Sequence, residues 1–428
     1  MRKLNIAIIG LGNIGSYLFK YLNDNKRILT KKNNCEPIIK YVSAKNKKRK
    51  RSINIKKNQW LHHYLDATKT KNIDLIVELI GGAEGPAKKL VFEALKNKKH
   101  VVTANKALIA KYGDQLSRIA EKNKVNLEFE ASVCGGVPII RSLKEGLIAN
   151  KISKIYGILN GTSNYILSSM DKENKNFNEV LSDAKKLGYA ESNPTADLNG
   201  DDVSSKLKIL SSLCFNSFLN KHIYVEGIKD IDKADIDNSN KLGYKIKLLA
   251  FAEILNNKIC QRVHPVLIKK NSYIAGIDGV LNAVLVEGRP VGQSIIQGEG
   301  AGPSATTSAL ISDISSILRG NIKFPFSVSS KERKKLKYVG IDGRFFSAYL
   351  RFEVIDKPGV LSNITNIFSR NKVSIKRLVQ NPNKNKKNSS IIIVTHLSKN
   401  SSLEKVMKEV SKKKYVNRKP KLIRIDNS

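Results

Sequence analysis

Cysteine is scarce. Cys35, Cys134, Cys214 and Cys260 are scattered along 428 residues with no CxxC pair and no Cys/His spacing, which argues against a disulfide framework and a zinc site and makes a reducing cytoplasm the expected setting. Apolar runs are short: none approaches the roughly 18–20 residues that a membrane span needs. The opening MRKLNIAIIGLG is broken by glycine too early to act as a cleavable signal. The six histidines (His62, His63, His100, His222, His264, His396) show no HExxH spacing and read as surface or core residues, and a GxSxG hydrolase elbow is missing. Acidic residues are the last shortage, with 37 Asp+Glu against 76 Lys+Arg and a formal net charge of +39.

A surplus of that size raises the question of nucleic-acid binding, because Lys and Arg neutralise phosphates. The cations gather at 45–57, 331–337 and 384–413, yet no zinc finger, RNP-like aromatic pattern or basic heptad accompanies them. A Lys- and Asn-rich surface is therefore expected, with no nucleic-acid and no membrane partner. With 41% apolar residues the chain can build ordinary cores, and its length allows two to four domains.

Short apolar runs alternate with helical segments at the N-terminus: LNIAIIG, SYLFKYLND, IIKYVSA, DLIVELIG, GPAKKLVFEALKNK, HVVTAN, a helix over about 106–123, and VNLEFEAS. That alternation predicts a parallel α/β sheet. From about 136 to 326 the pattern is mixed, with IYGILNGTSNYIL and AVLVEGRPVG as strand or turn pieces. SVSSKERKKLKYVGIDGR reads as a linker after Phe324-Pro325-Phe326. The remainder follows a βαββαβ order, which predicts a small ferredoxin-like domain.

Gly10-Leu-Gly12-Asn13-Ile14-Gly15 lies between the first strand and the first helix. Glycines at this spacing permit a tight turn, backbone approach to a pyrophosphate and close helix packing, with the helix N-terminus facing the phosphate. An NAD-type site usually carries an acidic residue about 20 residues further on. Here the second strand is delayed and runs into Lys45-Asn-Lys-Lys-Arg49. Cations in place of a carboxylate suit a 2′-phosphate, so NADP(H) is the expected cofactor, with Lys45 and Arg49 as its contacts; NAD remains open.

Four further motifs, VELIGG (77–82), VVTANKALIA (101–110), NGTSNYIL (160–167) and LGYAESNPTADLNGDDVSSKLKIL (187–210), together with the glycine loop resemble homoserine dehydrogenase in order over roughly residues 1–320. The resemblance implies NAD(P)H-dependent reduction of L-aspartate 4-semialdehyde to L-homoserine, on the route to threonine and methionine. It implies Lys206 as proton donor, assisted by Lys106, with Asp202 orienting the lysine. Taken alone, Asp202 and Lys206 would read as an i,i+4 surface pair. Glu191 and Asp197 match substrate-holding carboxylates, and Asn160, Gly161 and Thr162 would shape the same pocket. Thr103, Lys106 and Gly302 would border the cofactor. Glu130, with main-chain oxygens of Val133, Gly135 and Val137, matches a monovalent cation site, usually sodium; the same residues could form only a domain hinge. Ser192 and Asn193 depart from the family's usual proline and aspartate, which changes local turn chemistry alone.

Leu350 to Leu361, with Asp356-Lys357-Pro358-Gly359, resembles the first strand, loop and helix start of an ACT domain. The expected architecture is a Rossmann-type domain over 1–135, completed by about 300–320, then an α+β substrate and dimerisation domain over 136–300. A linker (321–345) and a ferredoxin-like ACT domain (346–428) follow. The resemblance also suggests threonine as effector, with a dimerisation module that has lost effector binding as the alternative, and a homodimer or homotetramer. Another NADP-dependent oxidoreductase of small carbonyl acids and a basic nucleic-acid-binding protein are the competing readings.

Overall fold

The structure, a computed structural model, describes residues 1–218, 223–382 and 387–426; His222, Lys384 and Lys386 lie outside them. β1 (Arg2–Ile9), β2 (Cys35–Ser43), β3 (Leu75–Glu78), β4 (His100–Thr103) and β5 (Leu127–Glu128) form a parallel sheet in the order β2-β1-β3-β4-β5. Helices α1 (Asn13–Asp24), α2 (Lys26–Asn33), α3 (Pro86–Lys96) and α4 (Lys106–Asn123) connect and cover it. Ile6, Ile8, Leu75 and Val77 are wholly buried, as continuous apolar strands must be when both faces are covered. The strand order reverses between β1 and β3, and such switch points open the crevice in which open α/β sheets bind ligands. α9 (Pro303–Leu318) returns to this sheet, where Leu310, Ile314 and Ile317 join the core of Leu18 and Leu22. Its Asp313 also accepts the N–H of Glu130 at 2.9 Å.

The central part holds β6 (Lys151–Ile158), α5 (Gly161–Glu173), α6 (Phe177–Lys186), α7 (Asp201–Phe215), α8 (Lys233–Lys241) and the antiparallel pair β7 (Tyr244–Leu255) and β8 (Lys258–Lys269). AVLVEGRPVG falls in the hairpin of β9 (Leu281–Arg289) and β10 (Gly292–Glu299). One expectation needs correction. Only the IYGI end of IYGILNGTSNYIL is strand, and GTSNYIL is the first half of α5. The cause is local: the Asn160 side chain accepts the Ser163 N–H at 2.8 Å, an N-cap that satisfies a donor the helix cannot.

β11 (Phe345–Ile355), α10 (Val360–Arg370), β12 (Ile375–Pro382), β13 (Asn388–Thr395), α11 (Asn400–Ser411) and β14 (Lys421–Ile425) complete the chain in βαββαβ order. The last strand does more than close this unit. β14 pairs in parallel with β8, so one sheet runs β10-β9-β6-β7-β8-β14-β11-β13-β12 through both parts. The stretch read as a linker is likewise docked. Phe326 packs tilted against Phe129 and edge-to-face with Phe218, Arg333 pairs with Asp114 and Glu121, and Lys337 and Tyr338 add to β8. Buried Arg351 on β11 binds both Asp232 (2.6 Å) and Asp235 (2.8 Å), the carboxylates that cap α8.

Candidate active site

The glycine loop is shaped by contacts that side chains would prevent. Gly10 has φ +112°, and a Cβ there would lie 2.4 Å from the Leu79 carbonyl oxygen; one on Gly15 would lie 2.0 Å from that of Gly10. A Cβ on Gly12 would meet nothing within 4 Å, so that position faces open space beside the first turn of α1, where Asn13 and Ile14 sit. This is the cradle that a pyrophosphate needs. The adjoining groove, about 420 Å³, is lined by Gly12, Asn13, Arg49, Lys50, Arg51 and Pro303 among others, and no carboxylate borders it. Lys45 is exposed and is not among the lining residues. Lys47 is turned aside, donating to the Leu61 carbonyl at 2.7 Å. Arg51 is braced by the carbonyls of Leu11 (3.0 Å) and Asn46 (2.7 Å) and lies over the Trp60 ring. The cations that border the groove are thus Lys20, Arg49, Lys50 and Arg51.

Lys106 begins α4 directly after its cap Asn105, while Asp202 and Lys206 stand one turn apart on α7. Tertiary packing brings the two helix starts together. Asp202 bridges Lys106 Nζ (2.6 Å) and Lys206 Nζ (2.8 Å). Lys206 also donates to the Leu159 carbonyl at 2.7 Å. Asn160 Nδ2 donates to both Asp202 and Asp197 at 2.8 Å. Burial opposes charge on Asp202, but the two ammonium groups overcome it and hold the carboxyl well below its ordinary range. Lys206 is opposed by burial too, yet Asp202 raises it above the ordinary lysine value. Burial and the Asp202 charge push Asp197 up, against the Asn160 hydrogen bond. A protonated, buried ammonium beside two carboxylates can donate to an oxyanion and position a polar substrate.

Comparison with known proteins gives the family. The family model described as homoserine dehydrogenase matches residues 138–315, and the one described as homoserine dehydrogenase, NAD binding domain matches 10–130. An AHAS small subunit-like ACT domain model matches 350–418. Homoserine dehydrogenase from Neisseria gonorrhoeae is 38% identical over 95% of this chain and 94% of its own, and that from Helicobacter pylori is 37% identical over 100% of each. The chain belongs to the homoserine dehydrogenase family. It is an NAD(P)-dependent oxidoreductase that interconverts L-aspartate 4-semialdehyde and L-homoserine. A solved homoserine dehydrogenase from Thiobacillus denitrificans superposes with TM-score 0.92 at 36% identity, covering 100% of this chain and 99% of that one. A hyperthermophilic archaeal homoserine dehydrogenase mutant solved in complex with NADPH matches 73% of this chain and 97% of its own, with TM-score 0.63 at 25% identity.

Within this homoserine dehydrogenase the other expected residues are placed unevenly. Gly161 packs so closely that a Cβ would lie 2.7 Å from the Val280 carbonyl. Thr162 turns from the lysine pair and donates to the Tyr189 carbonyl at 2.7 Å, bracing the loop that carries Glu191. Glu191 is exposed and makes no hydrogen bond or ion pair with the lysine cluster. Gly302 has φ +111° directly before α9. Glu130 uses both carboxylate oxygens on the N–H groups of Ile140 (2.9 Å) and Arg141 (2.6 Å), and burial pushes it up to about 7. Val137 already accepts from Ile139 at 2.7 Å. Among the described residues no group of three or more His, Cys, Asp or Glu side chains is arranged to hold a metal, so a cation here would rely on main-chain oxygens.

Sequence reasoning passed over Glu78. It ends β3 fully buried, accepting the N–H groups of Ile80 (2.7 Å) and Gly81 (2.9 Å) and the Thr103 hydroxyl (2.5 Å). The available signal was a charged residue closing a wholly apolar strand. Arg51 was missed because its position in a basic run looks the same as its neighbours'; only the backbone carbonyls it finds distinguish it.

Proposed function

We propose that Lys206 donates the proton to the substrate oxygen during aldehyde reduction. The bridge of Asp202 between Lys106 and Lys206 is the observation that carries this reading. An ammonium has three N–H bonds; Lys206 commits one to Asp202 and one to Leu159, which leaves one to meet a developing alkoxide. Asp202 keeps that group protonated and aimed. Lys106, with a side chain 44% exposed, is free to reach the substrate while its other bond holds it to Asp202. Asp197 has one oxygen on Asn160 and offers the other to the amino or hydroxyl end of the substrate, and Glu191 offers a second carboxylate from the rim. The bound nicotinamide supplies the hydride. Following NADPH oxidation with aspartate semialdehyde tests the assignment: Lys206→Ala should lower kcat by about 10²–10⁴ with KM little changed. A fully active variant would remove Lys206 from the role.

The same proposal extends to cofactor choice and regulation. Arg49, Lys50 and Arg51 with no carboxylate at the groove support NADP(H) over NAD(H). The Arg49→Ala/Arg51→Ala pair should raise KM for NADPH and leave that for NADH in place. In the ACT domain a cleft of about 320 Å³ is lined by 354–361, Gln380 and Ile391, with Gly359 at φ +87° before α10. Its turn amides suit an amino-acid carboxylate, supporting threonine as effector. Unchanged activity in millimolar threonine, with no heat of binding by calorimetry, would end the regulatory reading. For a monovalent cation the main-chain oxygens of Val133, Gly135 and Val137, beside the Glu130 carboxylate, would be the holders.

A further inference from the structure

Between Asp197 and Asp202 the chain runs through Leu198, Asn199 and Gly200, and this piece is gripped from outside by the segment 224–228. The Ile228 N–H donates to the Leu198 carbonyl at 2.9 Å. Gly227 lies so close that a Cβ there would sit 2.1 Å from the same carbonyl oxygen and 2.7 Å from the Asn199 Cα. Gly200, at φ +86°, is approached by Val225, whose Cγ1 would lie 3.0 Å from a Cβ at that position. Tyr224 and Val225 pair in parallel with Arg262 and Val263 of β8, and the Glu226 N–H donates to the Val263 carbonyl at 2.8 Å.

Glu226, in the middle of that gripping segment, is held by the C-terminal domain. Its Oε1 pairs with Lys421 at 3.5 Å, and its Oε2 pairs with Arg424 at 3.2 Å and accepts the Tyr224 hydroxyl at 3.2 Å. Both cations lie on β14. Arg424 is itself fixed within its domain, by Glu404 (2.9 Å) and Asn400 (2.8 Å) on α11. Attachment of the two domains does not need this contact, since Arg351 already binds Asp232 and Asp235. We propose that Glu226 is a positioning residue: through it the C-terminal domain seats Gly227 and Ile228 against Leu198 and thereby sets the placement of Asp197 toward the substrate. The inference rests on the reading of Asp197 as a substrate-holding carboxylate. A cleft of about 610 Å³ borders Glu226, Glu404 and Lys421, and the Glu226 side chain is 30% exposed. Removing its charge therefore leaves Arg424 paired with Glu404 and Lys421 beside solvent, so the fold should survive.

Steady-state kinetics without added effector test the proposal. Glu226→Gln should raise KM for aspartate semialdehyde about three- to tenfold, with kcat changed less than about twofold and Kd for NADPH unchanged. Lys421→Met, made on the other domain, should move KM in the same direction. Because Glu226 acts through Asp197, the Asp197→Asn/Glu226→Gln pair should have a KM no higher than Asp197→Asn alone. Amide hydrogen exchange over residues 195–204 should be faster in Glu226→Gln than in the wild type. Unchanged exchange there would overturn the proposal, and so would additive effects in the double variant. An unchanged KM in Glu226→Gln, where Asp197→Asn raises it, would do the same and leave Glu226 as a link between domains only. A wild-type KM in Asp197→Asn would instead overturn the substrate reading of Asp197, while faster exchange in Glu226→Gln would still support the seating of the segment.

Discussion

Replacing Asp202 by Asn removes one charge from the middle of the Lys106–Asp202–Lys206 bridge while keeping its shape. At 2.8 Å and an effective dielectric of about 20, the gross attraction between Asp202 and Lys206 is ~6 kcal/mol. Desolvation of both partners consumes part of it, and removing one member of a buried pair typically costs about 3–5 kcal/mol. The link to Lys106, whose side chain is 44% exposed, adds less than about 1 kcal/mol. The sign with pH follows from the shifts. Lys206 is raised in the wild type, so its contribution is complete below the ordinary lysine value near 10.4 and fades as pH rises through the raised one. Asp202 is depressed, so its contribution is present above about pH 4 and fades as pH falls through the depressed value. In Asp202→Asn, burial acts on Lys206 with its main opposing charge removed, Asp197 being the carboxylate left to favour the ammonium, and shifts the group toward the neutral amine. The variant should therefore gain stability as pH rises toward 10, opposite to the wild-type contribution of this lysine. Urea unfolding should show a loss of about 3–5 kcal/mol at pH 7 that shrinks by pH 9.5. The alkaline limb of kcat/KM for reduction should move to lower pH, since the charge that raises Lys206 is gone. A loss below about 1 kcal/mol, or one independent of pH, would refute this account of the bridge.

Gly15→Ala forces a Cβ to within 2.0 Å of the Gly10 carbonyl and should abolish NADPH binding by fluorescence titration while the central and C-terminal parts stay folded. Arg351→Leu strands the fully buried Asp235 carboxylate and should cost about 3–5 kcal/mol, seen as earlier proteolysis of the C-terminal domain. His264 is held well below its ordinary value by burial, with Arg424 and Arg262 adding to it. The unfolded chain therefore takes up a proton there first as pH falls, and stability should drop by up to ~1.4 kcal/mol per unit below about pH 6.5; His264→Gln should flatten that slope in urea unfolding.

Local chemistry was readable from the chain where short-range pattern decides it. The parallel α/β start follows from apolar runs separated by helical segments, and the glycine loop from three residues whose missing side chains have a spatial consequence. The βαββαβ order of the C-terminal part follows in the same way. NGTSNYIL escaped that reading because a single cap, Asn160 to Ser163, turned a turn-like polar run into a helix start. Glu191 and Lys45 have a place in the motif or the basic run, but the fold leaves both exposed and away from the contacts their neighbours make. Which cations border the groove was settled by carbonyls distant in sequence, with Lys47 drawn to Leu61 and Arg51 to Leu11.

Scarce cysteine, short apolar runs and the order of motifs along the chain determine the class of protein by themselves, since each is a property of composition or of neighbours in sequence. Asp202 and Lys206 are likewise one helical turn apart whatever the rest does. Their conversion from a surface pair into a buried bridge required Lys106 and the Leu159 carbonyl, 96 and 47 residues distant from Asp202 and Lys206 respectively. The joining of the C-terminal domain to the central sheet through β14 and β8, and the buried tie of Glu78 to Thr103, also belong to tertiary structure. Burial multiplies electrostatic energies, and burial is a property of the packed chain that no local segment carries.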